Sequence, residues 1–407
     1  MNINRVLSIG LFGSLVLLLG FGLDACRQRE EVQPVQVTVQ LQYPSEFSEQ
    51  AGEGIAVRME NTANGTVYEA TSTGSGSAVF AAVLPGTYNI SATISLDAAQ
   101  AQRITGVFNK PVTLNAAQND AMVNLGQTSF TLTLRGAPSG GLVIKEVYYT
   151  GSRTPSGGNY FSDQFVEIYN NSDEVIFLDG LYIADVWGVS GQINPSSQPT
   201  DFQNDPNNVY VNSVWQIPGS GQEHPLEPGK SIIIAQDGIN HRTDPNGNPN
   251  SPVDLSNADW ETYNERPDNR DIDSPTVPNL TRVYFTGGFD WLLTVFGPGV
   301  IIFRVDNFAN LEQVTIPSSP SLQPRIKVPN SAVIDAFEAL QNAESSSFKR
   351  IPVALDAGFT FATGTYTSES VRRKTATTVG DRRVLQDFNN STQDFQLLST
   401  PTPRRFD

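Results

Sequence analysis

The stretch HRTDPNGNPNSPVD, residues 241–254, places Asp244, Asn246 and Asn248 at alternate positions around Gly247. Carboxylate and amide oxygens presented in a tight loop are the hard donors that calcium takes. The spacing is not that of an EF-hand, because Asp254 stands too near to be the closing acid and no helical pattern flanks the loop. Asp, Asn, Pro and Gly also make an ordinary Asx turn, and that plain turn is the preferred reading, with no cofactor expected. The acidic stretch DWETYNERPDNRDID, 259–273, either completes an ion site from a distance or stands as a solvated loop.

Other chemistry is poorly supplied. The two histidines, His224 and His241, sit in different stretches, which excludes a histidine-rich zinc site, and no HExxH or paired CxxC is present. No G-x-S-x-G elbow or Walker loop occurs. Carboxylate pairs for glycoside hydrolysis are set by the fold, and among 42 acidic residues no pair stands out. The expectation is a protein that is not an enzyme. Exposed aromatic faces ringed by polar groups hold sugars and proteins. Trp187, Trp215, Trp260 and Tyr263, all beside polar residues or glycine, are the candidates for ligand or partner contact. Phe289 and Trp291 lie in GGFDWLLTVFGPGVIIFRV, whose apolar character assigns them to the core.

The elements around these residues read as strands. Val35, Val37, Val39 and Leu41 alternate with polar residues, and Ile55, Val57 and Met59 repeat the pattern. Gly and Pro, 33 and 26 of them, supply the turns an all-β chain needs. Ile232 to Ile234 form a short, fully buried strand, while 188–209 shows no pattern of either kind. One helix is predicted over 331–343, where Val333, Ile334, Phe337 and Leu340 share a face. A formal charge of −16 argues against nucleic acid, whose binders cluster cations.

The single cysteine, Cys26, follows a basic start and an apolar run, Val6 to Leu23. Leu23-Asp24-Ala25-Cys26 resembles the lipobox of bacterial lipoproteins, which implies a diacylglycerol on the thiol and contact with outer-membrane lipid. Arg29-Glu30-Glu31 resembles the tag that sends lipoproteins of the Bacteroidetes type to the outer face of the outer membrane. GSGSAVFAAVLPGTYNISATI resembles prealbumin-like domains, in which Pro presets the turn, Gly takes the unusual dihedrals and Tyr packs back on the core. Leu142, Ile144 and Val147, then Phe165, Glu167, Ile168, Tyr169 and Asn170, then Leu178-Asp179-Gly180, resemble the opening of a lamin-tail immunoglobulin-like domain. Arg372, Arg373, Lys374 and the run Leu385 to Phe395 resemble its close. From 34 to 404 the chain is similar to the DUF4876 family of Bacteroidetes lipoproteins, which brings no activity with it.

The organisation expected is a signal peptide (1–25), a tether (26–33), a prealbumin-like sandwich (34–135) and a lamin-tail-like sandwich (140–404). Long insertions in the last occupy about 186–350. The fold class is all-β, two sandwiches with one short helix. The function expected is a surface binding or accessory module, with a TonB-dependent transporter as the partner that the resemblance implies. A structural envelope protein and a carboxylate-dependent hydrolase are the alternatives.

Overall fold

The computed structural model describes residues 33–45, 47–50, 52–106, 111–138, 141–268 and 270–406. Cys26, the apolar run before it and the tag at 29–31 lie outside the described residues. Among the described residues no helix is long and apolar enough to cross a membrane.

Val35, Val37, Val39 and Leu41 are all buried on one face of the strand Val35–Gln42, as their alternation predicts. That strand pairs antiparallel with Ser77–Val83 and parallel with Ser129–Thr133. A five-stranded antiparallel sheet accompanies it, in the order Val67–Thr71, Ala56–Asn61, Gly86–Leu96, Val112–Val123, Arg135–Pro138. Val39, Met59, Ile90, Leu114 and Leu132, drawn from both sheets, share one core. Each such side chain gives about 1.5–3 kcal/mol on burial, so the alternating pattern fixes which face of each strand turns inward.

Tyr88 packs into this core, and its hydroxyl donates to the Leu84 carbonyl at 2.7 Å. Gly86 has a different role from the one expected. Its backbone is not left-handed, and a Cβ there would lie 2.8 Å from the Asn61 amide nitrogen. Close approach, not dihedral freedom, requires the glycine. The helix Ala98–Thr105 was not anticipated from the sequence, although its signals are local. Asp97 accepts from the Gln100 N–H at 2.8 Å, the Gln100 side chain accepts from the Asp97 N–H at 3.0 Å, and Gly106 at φ 67° closes the far end.

The second unit is built on two larger sheets. One has six strands in the order Trp260–Glu261, Ser231–Ala235, Phe165–Asn170, Leu142–Tyr148, Ser370–Arg373, Phe395–Leu398. The other runs Gln313–Val314, Arg325–Pro329, Asn208–Gln216, Tyr182–Val186, Gly299–Phe303, Val333–Glu338, with Thr281–Tyr284 also paired to Asn208–Gln216. Ile144, Val166, Ile234, Ile183, Trp215 and Ile302 form the core they share. The span 186–350 thus contributes strands to both sheets, and its longest irregular stretches among the described residues are 188–207, 236–259 and the chain after Glu261.

The helix predicted over 331–343 is not formed. Val333–Glu338 is an edge strand paired antiparallel with Gly299–Phe303, and a 3-10 turn stands on either side of it. Every residue from Asp335 to Leu340 is buried. A strand buried on both faces carries an uninterrupted apolar run, and such a run satisfies helical spacing as readily as strand spacing. Asp335 and Glu338 enter that interior because Arg373 and Arg350 meet them there.

Candidate functional site

Four acidic side chains converge beyond the Trp260–Glu261 edge of the six-stranded sheet. Asp237 follows the strand Ser231–Ala235, Glu261 ends the edge strand, Asp271 lies in the irregular segment after it, and Asp290 follows the Gly287-Gly288 turn. Those two glycines have φ of 118° and 104°, values that side chains avoid, so the turn that delivers Asp290 depends on them. At Gly238 a Cβ would lie 2.9 Å from the Glu261 carboxylate, so a glycine is needed for that approach. Downstream, Leu293 N–H donates to Gln164 at 3.0 Å and Trp291 Nε1 to Asp185 at 2.9 Å, which anchors the segment carrying Asp290.

Asp237, Asp271 and Asp290 each offer a carboxylate oxygen, and these oxygens lie within 4.8 Å of one another. All three residues are at most 4% exposed. One side of the cluster is satisfied: Asp271 accepts from Asn264 N–H at 2.9 Å, and Asp290 accepts from the Gln236 amide. Glu261 accepts from Gly238 N–H at 2.6 Å and Ser274 N–H at 2.7 Å. The other side is not. Oδ1 of Asp237, of Asp271 and of Asp290 and Oε1 of Gln236 are buried with no hydrogen-bond partner. No ion pair among the described residues reaches any of the four acids. Burial pushes all four carboxyls above the usual range, and their mutual repulsion adds to it.

The loop read from the sequence as a calcium candidate does other work. Asp244 accepts from Asn246 N–H at 2.8 Å, an Asx turn. Asn246 is exposed, while Asn248 is buried, donating to Ser152 Oγ at 2.9 Å and accepting from Asn250 N–H at 3.1 Å. The acidic stretch 259–273 does reach a convergent site through Glu261 and Asp271, but its partners are Asp237 and Asp290, which sequence spacing did not indicate.

Of the aromatic candidates, Trp215 and Trp260 belong to the core. Trp215 sits inside the strand Asn208–Gln216 and points between the sheets, and Trp260 packs edge-on to His224 with ring centroids 5.0 Å apart. Trp187 is half-buried under the Arg325 guanidinium, 4.2 Å from its ring, and Tyr263 is half-buried. Trp291 is buried as expected, whereas Phe289 is half-exposed with Arg270 over its face at 4.5 Å.

A cleft of about 700 Å³ lies between the two units, lined by Asn115, Asp120 and Thr131 on one side and Gln203, Asp205 and Ser346 on the other. Ser346 Oγ donates across it to Asp120 at 2.6 Å. Asn115 Nδ2 and Gln203 Oε1 are buried there without partners, one a donor and one an acceptor.

The molecule is therefore an all-β protein of several mixed and antiparallel sheets in sandwich-like units. A solved structure of a DUF4876 family protein from Bacteroides thetaiotaomicron VPI-5482 is 30% identical, covers 89% of this chain and 95% of its own, and superposes with a TM-score of 0.57. The model of the family described as "Protein of unknown function (DUF4876)" matches residues 227–402. The chain belongs to the DUF4876 family. Fervidolysin from Fervidobacterium pennivorans, a keratinolytic enzyme related to subtilisin, also aligns at 12% identity over 50% of this chain and 27% of its own, but a TM-score of 0.19 carries no argument. No curated protein matches the sequence.

Proposed function

We propose that this chain is an outward-facing lipoprotein of the outer membrane, tethered through Cys26, that acts as a binding or accessory module beside a membrane partner such as a TonB-dependent transporter. In this reading the first unit is a prealbumin-like support and the second a lamin-tail-like sandwich. The observation that carries the binding role is the cleft between the units, a space of about 700 Å³ lined from both sides by polar side chains such as Asp120, Thr131, Gln203 and Asp205. A concave space with polar groups on both walls suits a polar ligand or a polypeptide segment. The acidic cluster does not favour hydrolysis, since Asp237, Asp271 and Asp290 are enclosed and out of reach of a polymeric substrate.

Two measurements test this. Palmitate labels the wild type and not Cys26→Ala, and equal label in both refutes the tether. A pull-down from membranes in mild detergent recovers a stoichiometric partner with the wild type, and Gln203→Ala weakens that recovery. The wild type recovered alone refutes the accessory role.

A further inference from the structure

We propose that Asp237, Asp271 and Asp290, together with the amide oxygen of Gln236, form a binding site for one calcium ion. Neither the lipid tether nor the cleft between the units enters the argument. Three carboxylate oxygens within 4.8 Å of one another are within the span of a single cation's coordination sphere. The geometry alone would describe many acidic clusters, but the orphaned atoms do not. The side-chain amide of Gln236 lies against Asp290 through Nε2, which leaves its carbonyl oxygen buried without a donor. That oxygen, on the residue bonded to Asp290, and the Oδ1 atoms of the three clustered aspartates are four buried acceptors without a hydrogen-bond partner among the described residues.

Leaving one buried acceptor unmet costs about 1–3 kcal/mol, and more when the group is charged, so four together call for a common partner. A cation supplies it. The donor set names the kind of cation: all are hard oxygens, and neither histidine nor cysteine is among them, which disfavours zinc. Calcium accepts irregular sets of carboxylate and amide oxygens and completes its shell with bidentate carboxylates or water, whereas magnesium demands a near-octahedral set.

The site also joins three separate pieces of chain. Asp237 follows the strand Ser231–Ala235 beside the sheet's edge, Asp290 follows a glycine turn, and Asp271 stands in the irregular chain after the edge strand. An ion held by all three fastens that stretch to the sheet.

The test uses the full chain purified in detergent and stripped with EGTA. Calorimetric titration with calcium chloride should show one ion bound per chain, with magnesium chloride weaker by about tenfold or more. Calcium should raise the melting temperature and protect 262–278 from limited proteolysis. Asp290→Asn should weaken calcium binding by about tenfold or more and abolish the thermal shift. Asp271→Asn serves in its place where the first variant does not fold. The proposal is overturned by a wild type that takes up no calcium and melts at the same temperature with and without it. It is equally overturned by an Asp290→Asn protein that melts above the wild type with calcium present, since that marks a cluster of protonated acids relieved by losing one.

Discussion

Asp335 and Asp394, near one edge of the six-stranded sheet, are buried as deeply as Asp237 and Asp290 beyond the other, yet the two regions handle that burial in opposite ways. Near the Phe395–Leu398 edge, Arg373 enters the interior and meets Asp335 at 2.7 Å, Asp387 at 3.2 Å and Asp394 at 3.5 Å, while its Nε donates to the Ile144 carbonyl at 2.9 Å. Glu338 nearby is met by Lys349 at 3.2 Å and Arg350 at 2.8 Å, and Lys145 meets Glu167 at 2.8 Å in the middle of the sheet. Beyond the Trp260–Glu261 edge no lysine or arginine among the described residues forms an ion pair with Asp237, Glu261, Asp271 or Asp290. One edge thus has an internal arginine among its buried acids, although burial still holds Asp335 and Asp394 above the usual carboxylate range. The other edge has no internal cation bonded to its acids among the described residues. The chain's net charge of −16 is compatible with both, because what matters is which cation stands within bonding distance.

The comparison breaks most visibly at Arg373. Arg373→Met leaves Asp335 and Asp394 buried without a partner, and unfolding in urea should show a loss of about 3–5 kcal/mol. A loss below about 1 kcal/mol would mean that these acids are neutral in the native state.

Glu338 sharpens the contrast through pH. Burial alone would raise its carboxyl, but Lys349 and Arg350 overcome that and hold it below the usual value of 4.5. The unfolded chain then binds more protons than the native one as the pH falls below about 4.5. Stability from the Glu338 charge is therefore complete above that pH and drains away beneath it. Glu338→Gln should cost about 1.5–3 kcal/mol at neutral pH, and its gap from the wild type should close on acidification below 4.5. A gap independent of pH would show that the shape of the side chain, not its charge, is what matters.

How much of this was legible depends on how local each signal is. Val35, Val37, Val39 and Leu41 announce their strand because one face is wet. The strand Val333–Glu338 has no wet face, so its apolar residues carried no period to choose by. Trp215 and Trp260 have polar neighbours in sequence, but in a strand the neighbour points the other way, and both rings turned inward. At the acidic cluster the composition of 259–273 was visible, and half of the site came from it. Asp237 and Asp290 were not, since only the folded path of the chain brings them to Asp271.

The smallest effect is expected at the loop whose spacing most resembled a metal site. Asp244→Asn keeps the acceptor for the Asn246 N–H, so it should change stability by less than about 0.5 kcal/mol, and a chelator should leave that difference unaltered. A calcium-dependent loss in this variant would move the ion from the buried cluster to the loop.

The pairing of Leu142–Tyr148 with Ser370–Arg373 also sets a timetable. Ser370 Oγ donates to Glu146 at 2.6 Å across a separation of 224 residues, and Arg373 reaches back to Ile144 across 229. The first unit has all its strands once residue 138 has emerged. The second cannot seat its central strand against both neighbours until residue 373 is available, and contacts so distant in sequence are slow to form. A chain emerging from its amino end, from a ribosome or through a translocation pore, would fold the first unit early and carry the second as an open sheet. Its unpaired strand edges are the part that needs shelter until Ser370–Arg373 and Phe395–Leu398 arrive.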